Sequence, residues 1–441
     1  MKGNIFALLI AAGLTLFTAA AQAQDIPEKW DLNTCLRYAT EHNIQIKKSR
    51  VALQQSQEST LEAKAQLFPS LSASIGQGFV NYPSSDATSR NSYSGNYSVS
   101  ANWQLFDGGK RVQNIKQQQL QDQVQQLGIE ESADNIEIAI TQNYLQILYA
   151  YEAVEINRNT VEVSDAQRKR AKELLAAGSI AESDYAQMES QYSTDKYQLV
   201  VAQTNLANYK LALKQLLELD ITDDIDVAIP RLEEADVLAP LPDKESVYRT
   251  SLAVMPQIQS SRLNIGIAEL EQKKAKASYW PTLSLSASIG SGHLSGTGYA
   301  FGTQMWDKFN ESVGLTVSIP IFANRSNKTA LNRAKLEVVN SRLELLNAQK
   351  ELLKTVEGIY LDAASAQNQF LAARENLGAV EKSYTLVNEQ FSLGMKNTLE
   401  LLTEKNNLLN ARQEALQSKY MALLNIQLLN FYQDKPIELN Y

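Results

Sequence analysis

Cysteine and histidine are almost absent. There is one cysteine, Cys35, and there are two histidines, His42 and His293, in 441 residues. A lone cysteine cannot form an internal disulfide, and Cys35 reads as a small buried residue of the first helix. The histidines lie far apart with no metal-ligand spacing around them and read as solvated or loop positions. No metal centre and no cofactor is expected. Glycine (19) and proline (10) are also scarce for this length, which suits long helices rather than a turn-rich fold. Positive charge is not in excess: 41 Lys and Arg face 49 Asp and Glu, a net charge of −8. That argues against a nucleic-acid partner, which needs a basic face. No nucleotide loop, no Ser/His/Asp constellation and no acid pair in an apolar setting is present, so the chain is not expected to be an enzyme.

Long hydrophobic runs are missing everywhere except at the start. Met1-Lys2, an apolar run from Ile5 to Phe17, and Ala21-Gln22-Ala23 form a charged start, an apolar core and a small-residue cleavage site. This is an export signal over residues 1–23, cleaved after Ala23. No cysteine follows the cleavage site directly, so no lipid attachment is expected there. No later stretch is apolar enough for a membrane helix. If the chain enters a membrane, it does so through strands.

Strands are what the remaining pattern offers. Leu71, Ala73 and Ile75 alternate with Ser72, Ser74 and Gly76. Tyr93, Tyr97, Val99, Ala101, Trp103 and Leu105 alternate with Ser94, Asn96, Ser98, Ser100, Asn102 and Gln104. Leu283, Leu285, Ala287 and Ile289 alternate with serines and Gly290. Val313, Leu315, Val317, Ile319 and Ile321 alternate with Gly314, Thr316 and Ser318. Strict period two predicts four strands, about 70–80, 92–105, 282–294 and 311–321. The pattern fits a sheet half-buried on a soluble core, and it fits membrane strands with one face in lipid. Aromatic residues add weight to the second. Phe68, Trp103, Phe106, Trp280 and Phe322 cluster at one end, and Tyr82, Tyr299, Phe301, Trp306 and Phe309 at the other. Two such belts suit two membrane interfaces.

Between the strands the period changes to that of helices. Ile140, Ile147, Val154 and Val161 recur every seven residues, as do Leu331, Val338, Leu345, Leu352 and Ile359. Leu199, Ala202, Leu206, Tyr209, Leu213 and Leu216 step by three and four. So do Leu399, Leu402, Asn406, Leu409, Gln413, Leu416, Tyr420 and Leu423. These are coiled-coil stripes. Two helices, about 109–177 and 327–392, would each be roughly 100 Å long at the α-helical rise. Each is followed by a glycine break, Gly178 or Gly394, and a shorter helix. The whole order occurs twice: "FPSLSASIG" from Phe68 mirrors "WPTLSLSASIG" from Trp280, and Ala177-Gly178 mirrors Leu393-Gly394. A repeat of about 215 residues is too long for a solenoid and reads as a duplication within one structural unit. The expected units are a first repeat, 24–219, a proline-bearing linker, 220–243, and a second repeat, 244–441.

Four strands cannot close a membrane barrel, because an open edge leaves backbone groups unpaired in lipid. Several copies must pool their strands. The helices below them would extend that cylinder into a duct lined by polar faces such as Gln117–Gln126. With these features together the chain resembles the TolC-type outer-membrane channels of tripartite efflux pumps and type I secretion systems. The resemblance covers the mature sequence. It is carried by the duplicated order, the "FPSLSAS" and "WPTLSLSAS" strand starts, "QLFDGGKR" from Gln104, and "YTLVNEQFSLGMKNTLELLTEKNNLLNARQ" from Tyr384. It implies an α+β membrane protein. A homotrimer would pool four strands per chain into a twelve-stranded β-barrel in outer-membrane lipid, continued by a long α-helical coiled-coil barrel in the periplasm. It also implies an equatorial region built from the linker and from residues after Phe431. The partners implied are a periplasmic adaptor protein and, through it, an inner-membrane pump.

The resemblance also implies a periplasmic gate at the glycine breaks. Lys396 matches a basic gate position, and Asp184 the acid that receives it. Glu400 matches the first acidic ring. Thr403 stands where a second acid occurs in the family, and Phe391 where a tyrosine can. A Lys396–Asp184 contact and a cation-favouring Glu400 ring are therefore expected. Asp184 and Glu400 equally suit first-turn positions of their helices. Ala177, Gly178, Ser179, Leu393, Gly394 and Met395 form the expected adaptor-docking tips. The competing reading is a periplasmic coiled-coil scaffold or adaptor without a barrel.

Overall fold

The computed structural model describes residues 29–83, 91–230 and 232–439. The expected export signal, residues 1–23, lies outside them. The elements are α1 (Leu32–His42), α2 (Ile44–Ala65), β1 (Ser70–Asn81), β2 (Asn91–Phe106), α3 (Lys110–Ala176) and α4 (Glu182–Leu216). They continue as α5 (Glu234–Val237), α6 (Lys244–Val254), α7 (Pro256–Ala277), β3 (Thr282–Leu294), α8 (Phe301–Asp307), β4 (Asn310–Ser318), α9 (Ser326–Ser392) and α10 (Thr398–Tyr432). The long helices α3 and α9 have 67 residues each, so each runs about 100 Å.

The strands form one antiparallel sheet in the order β1-β2-β3-β4. Its register puts Leu71, Ala101, Ala287 and Val313 side by side, and likewise Ala73, Val99 and Ile289. All odd-numbered strand residues therefore share one face, and that face is apolar over most of its height. The even face is hydroxylated. Ser72 bonds Ser100 at 3.0 Å, Ser74 bonds Ser98 at 2.7 Å, Ser288 bonds Ser312 at 2.8 Å, and Ser284 donates to Gln104 Oε1 at 3.0 Å. Neither face is covered by a second layer: Leu71 is 76% exposed, Ile75 75% and Val313 78%. A sheet over a soluble core would bury these side chains. β4 ends at Ser318, short of the expected 321, because Pro320 has no N–H to continue the ladder.

Helices stand under the strands in the same order. α2 packs on α3, α3 on α7 and α7 on α9, so each strand sits at the end of its own helix. The lower half of α3 pairs with α4, and that of α9 with α10. The two short helices of the first repeat stack end to end: Asn43 Nδ2 donates to Leu216 O at 3.0 Å, and Ile44 N donates to Glu218 Oε1 at 3.1 Å. In the second repeat Ser251 Oγ, on α6, donates to Tyr432 O at 2.7 Å. The strand-to-helix corner is built by "QLFDGGKR". Arg111 pairs with Asp107 at 3.0 Å, donates to Gln66 O at 2.8 Å and also reaches Gln104 O. Asp107 in turn accepts from Gly109 N at 3.1 Å.

The core lies at the equator. No residue of α3 before Ile140 is fully buried, since a wall one helix thick leaves both of its faces open. From Ile140 downward the linker and the C-terminal segment wrap the wall. Trp30 pairs with Val227, Tyr144 Oη donates to Ala228 O at 2.5 Å, and Ile225, Val237, Ile437 and Leu439 close the cluster. Cys35 is buried there, and its thiol is pushed up to about 12, chiefly by desolvation. His293 departs from expectation. It lies on β3, not in a loop, with Tyr97 stacked at 6.0 Å and Phe301 edge-on at 4.8 Å.

Candidate gate at the helical tips

Both glycine breaks are the same turn. Gly178 has φ +70° and Gly394 φ +75°. Gly178 N donates to Leu175 O and Ser179 N to Leu174 O, both at 2.9 Å. Gly394 N donates to Phe391 O at 3.0 Å and Met395 N to Gln390 O at 2.9 Å. This crossed pair of bonds satisfies the last carbonyls of α3 and α9 and needs a left-handed residue, which glycine supplies. A side chain at either glycine would meet nothing, so the backbone alone demands it. Leu393 and Met395 stand out into solvent at the tip, and Ala177, Gly178, Ser179 and Gly394 are exposed as well.

The next helices start with duplicated caps. Ala181 N donates to Asp184 Oδ2 at 3.3 Å. Asn397 N donates to Glu400 Oε2 at 3.1 Å, and Glu400 N donates to Asn397 Oδ1 at 2.9 Å. Each acid thereby ties down a first-turn donor. Lys396 Nζ sits 2.6 Å from Glu400 Oε1. The hydrogen bond from Lys396 holds the Glu400 carboxyl below its ordinary range. Within one chain, then, Lys396 is engaged by Glu400 and not by Asp184, because the four-residue spacing on one helix start brings Glu400 closer. Thr403 turns its hydroxyl back to Leu399 O at 2.8 Å. Phe391 packs beside Ala171, Met188 and Leu401 in a small apolar cluster.

A second layer lies just above, and sequence reasoning did not find it. Lys405 of α10, Asp195 of α4 and Ser164 of α3 meet in one buried contact: Lys405 donates to both partners, and Ser164 Oγ donates to Asp195 Oδ2. The side chains are 5% and 2% exposed for Lys405 and Asp195. Desolvation lowers the Lys405 pKa despite the paired carboxylate. Around it, Gln167 Nε2 donates to Tyr384 Oη at 3.2 Å, Gln191 to Asn406 Oδ1 at 3.3 Å, and Arg412 pairs with Glu381 at 3.2 Å. The aromatic hydroxyl missing at Phe391 is thus present two turns earlier, at Tyr384. The lower half of the expected α10 stripe also shifts. Leu401, Lys405, Leu408, Ala411 and Ala415 face inward, whereas Leu399 and Asn406 are exposed.

A four-stranded sheet with a bare apolar face, continued by a row of helices about 100 Å long, defines a channel-forming protein of the outer membrane. The family model described as "Outer membrane efflux protein" matches residues 36–218 and 247–430, and the chain belongs to this family. It is an outer-membrane exit duct of the efflux and secretion class, with its helical part in the periplasm. The family is one of channels, not of enzymes. The chain is 21% identical to outer membrane efflux protein BepC of Brucella suis biovar 1 (strain 1330), over 97% of this chain and 90% of that protein. It is 22% identical to outer membrane protein TolC of Escherichia coli (strain K12), over 96% of this chain and 84% of that one. It is 23% identical to proteases secretion protein PrtF of Dickeya chrysanthemi, over 96% and 91%. Among solved structures, the outer-membrane channel OprN superimposes with a TM-score of 0.76 at 17% identity, covering 92% of this chain and 90% of that one.

Proposed function

We propose that three copies of this chain close edge to edge into a trimeric duct that is passive and opens at its periplasmic tips. The observation that carries this is the matched order of strands and helices. β1 and β4 are free edges of the sheet, and α2 and α9 are free edges of the helix row. A head-to-tail contact of β4 on the next copy's β1 brings α9 onto the next copy's α2 at the same time. Such a heterologous contact closes into a ring. α9 carries an exposed stripe for it, Leu336, Val339, Leu343 and Leu346. The Ser-lined even face then becomes the lumen and the odd face meets lipid.

In this ring the tips converge on the axis. Lys396 of one copy reaches Asp184 of the next when the duct is shut, Glu400 and Thr403 ring the constriction, and Phe391 packs behind them. Ala177, Gly178, Ser179, Leu393, Gly394 and Met395 receive a periplasmic adaptor that links the duct to an inner-membrane pump. The relatives carry both efflux and protease-secretion names, and the same duct serves either. The test is migration of the unheated protein at three times its chain mass together with single-channel conductance in planar bilayers. A protein that stays monomeric in detergent and adds no conductance overturns the duct in favour of a scaffold.

A further inference from the structure

We propose that α8, in the β3–β4 connection, is an anchor that lies in the outer-leaflet interface and fixes how deep the barrel sits. This rests on reading the odd face of the sheet as the lipid face. β4 begins opposite Gly290, so Ser291–Leu294 of β3 have no β4 partner. α8 fills that place from the odd side, not from the lumen side. Ser291, an odd-face residue, donates from Oγ to Met305 O at 2.5 Å. Gln304 is buried; its Oε1 accepts from Leu294 N at 2.8 Å and its Nε2 donates to Tyr299 O at 2.9 Å. Phe301 closes edge-on over His293, which itself covers Gly95: a methyl there would come within 2.2 Å of the imidazole Cε1. The helix is therefore fastened to the wall by polar bonds.

Apart from Phe301, which lies over His293, the aromatic residues of α8 and its flanks are left open. Trp306 is 83% exposed, with Tyr299, Phe301 and Phe309 all more than half exposed. A helix tied down by its polar atoms that offers Trp, Tyr and Phe outward fits the boundary of lipid and water, where such rings settle. The height agrees. From Ser288, the middle of β3, to His293 is five residues, about 17 Å along a strand and about 12 Å of height at a tilt near 45°. Half the apolar band of an outer-membrane barrel is also about 12 Å. The edge that pairs with a neighbouring copy runs in the plane of the sheet, whereas α8 contacts β3 through the odd-face residues Ser291 and His293. That favours lipid over a second copy as the occupant.

The experiment uses the full-length protein in lipid vesicles, with a fluorophore on Trp306→Cys or, separately, on Val313→Cys midway up the lipid face. Cys35 is fully buried and its thiol is pushed up to about 12, so it does not compete for label. Quenchers are a lipid with a nitroxide near the headgroup, one with a nitroxide near the chain end, and aqueous iodide. The label at 306 should lose most of its fluorescence to the headgroup-proximal nitroxide, and the label at 313 to the deeper one. Quenching of 306 by iodide alone, with 313 still quenched by lipid, overturns the anchor but keeps the membrane wall. Protection of 306 from all three places it against a neighbouring copy and also overturns the anchor. No lipid quenching at 313 overturns the wall itself, and the anchor with it.

Discussion

Lys405 on α10 is buried against Asp195 on α4, and the two join hairpins that belong to different repeats. This pair differs in kind from Lys396–Glu400 at the tip, where the side chains are 36% and 41% exposed and sit on one helix start. Removing one partner of a buried pair leaves an unpaired charge, at a cost of about 3–5 kcal/mol. Replacing both with apolar residues of similar volume is often neutral. Lys405→Met or Asp195→Leu alone should therefore lower the unfolding temperature sharply, and each should raise closed-state conductance. The double variant should recover most of the stability. A double variant as unstable as the singles would show that the ion pair is not what holds these helices together.

The tip contacts predict the opposite balance. Exposed, solvent-screened pairs contribute little, so Lys396→Ala should leave thermal stability almost unchanged. Its effect should fall on conductance, which rises if Lys396 bridges copies in the shut duct. Asp184 needs two variants because it also caps α4. Asp184→Asn keeps much of the cap and removes the charge. Asp184→Ala loses both and should cost about 1 kcal/mol more. Unchanged closed-state conductance in Lys396→Ala and Asp184→Asn together would sink the charge-held gate.

The strands and long helices were legible because each sequence period survives unbroken from Leu71 to Ile75 or from Ile140 to Val154. The caps were legible because glycine, Asp184 and Glu400 mark turns by chemistry. The features that the sequence does not show depend on contacts between distant segments. The stripe read from the sequence passes through Leu399 and Asn406; only the pairing of Lys405 with Asp195, 210 residues away, makes Lys405 an inner position. α8 was hidden because seven residues hold no periodicity and its helix is defined by Gln304 and Ser291 bonds to and from β3. His293 looked like a loop residue because nothing local says that Gly95 lies beneath it.

The corner glycines offer a test in which two neighbours with the same dihedral demand differ in surroundings. Gly108 has φ +69° and Gly109 φ +85°. A Cβ on Gly108 would come within 2.7 Å of Ala277 O and 2.9 Å of Trp280 Cβ, whereas one on Gly109 meets nothing. At the corresponding corner of the second repeat, Asn324 and Arg325 hold positive φ values of 42° and 67°. Gly109→Asn should therefore cost no more than about 1 kcal/mol, the strain of one left-handed residue. Gly108→Ala should reduce the yield of assembled trimer several-fold, since the backbone and a tryptophan must move. Heat-modifiable migration of outer-membrane fractions measures both. Equal yields from the two variants would mean that the approach of α7 to this corner is not tight in the assembled protein.

Asp134 carries a pH signature. Its carboxyl is raised from 3.8 to about 6, first by desolvation and then by the negative charges of Glu137, Glu130, Glu131 and Asp434. Well below pH 4 the group is neutral in both folded and unfolded chains and costs nothing. As pH rises from about 4 to 6, the unfolded chain releases this proton while the folded chain keeps it, so stability falls. Well above pH 6 the loss is complete and constant. Solvent screening at this half-exposed site limits it to about 1 kcal/mol. Asp134→Asn cannot ionise, so it should be more stable than the parent at pH 8 and indistinguishable from it well below pH 4. Denaturation midpoints across that range check the sign. A gap that stays the same at both ends would trace the effect to packing instead of to charge.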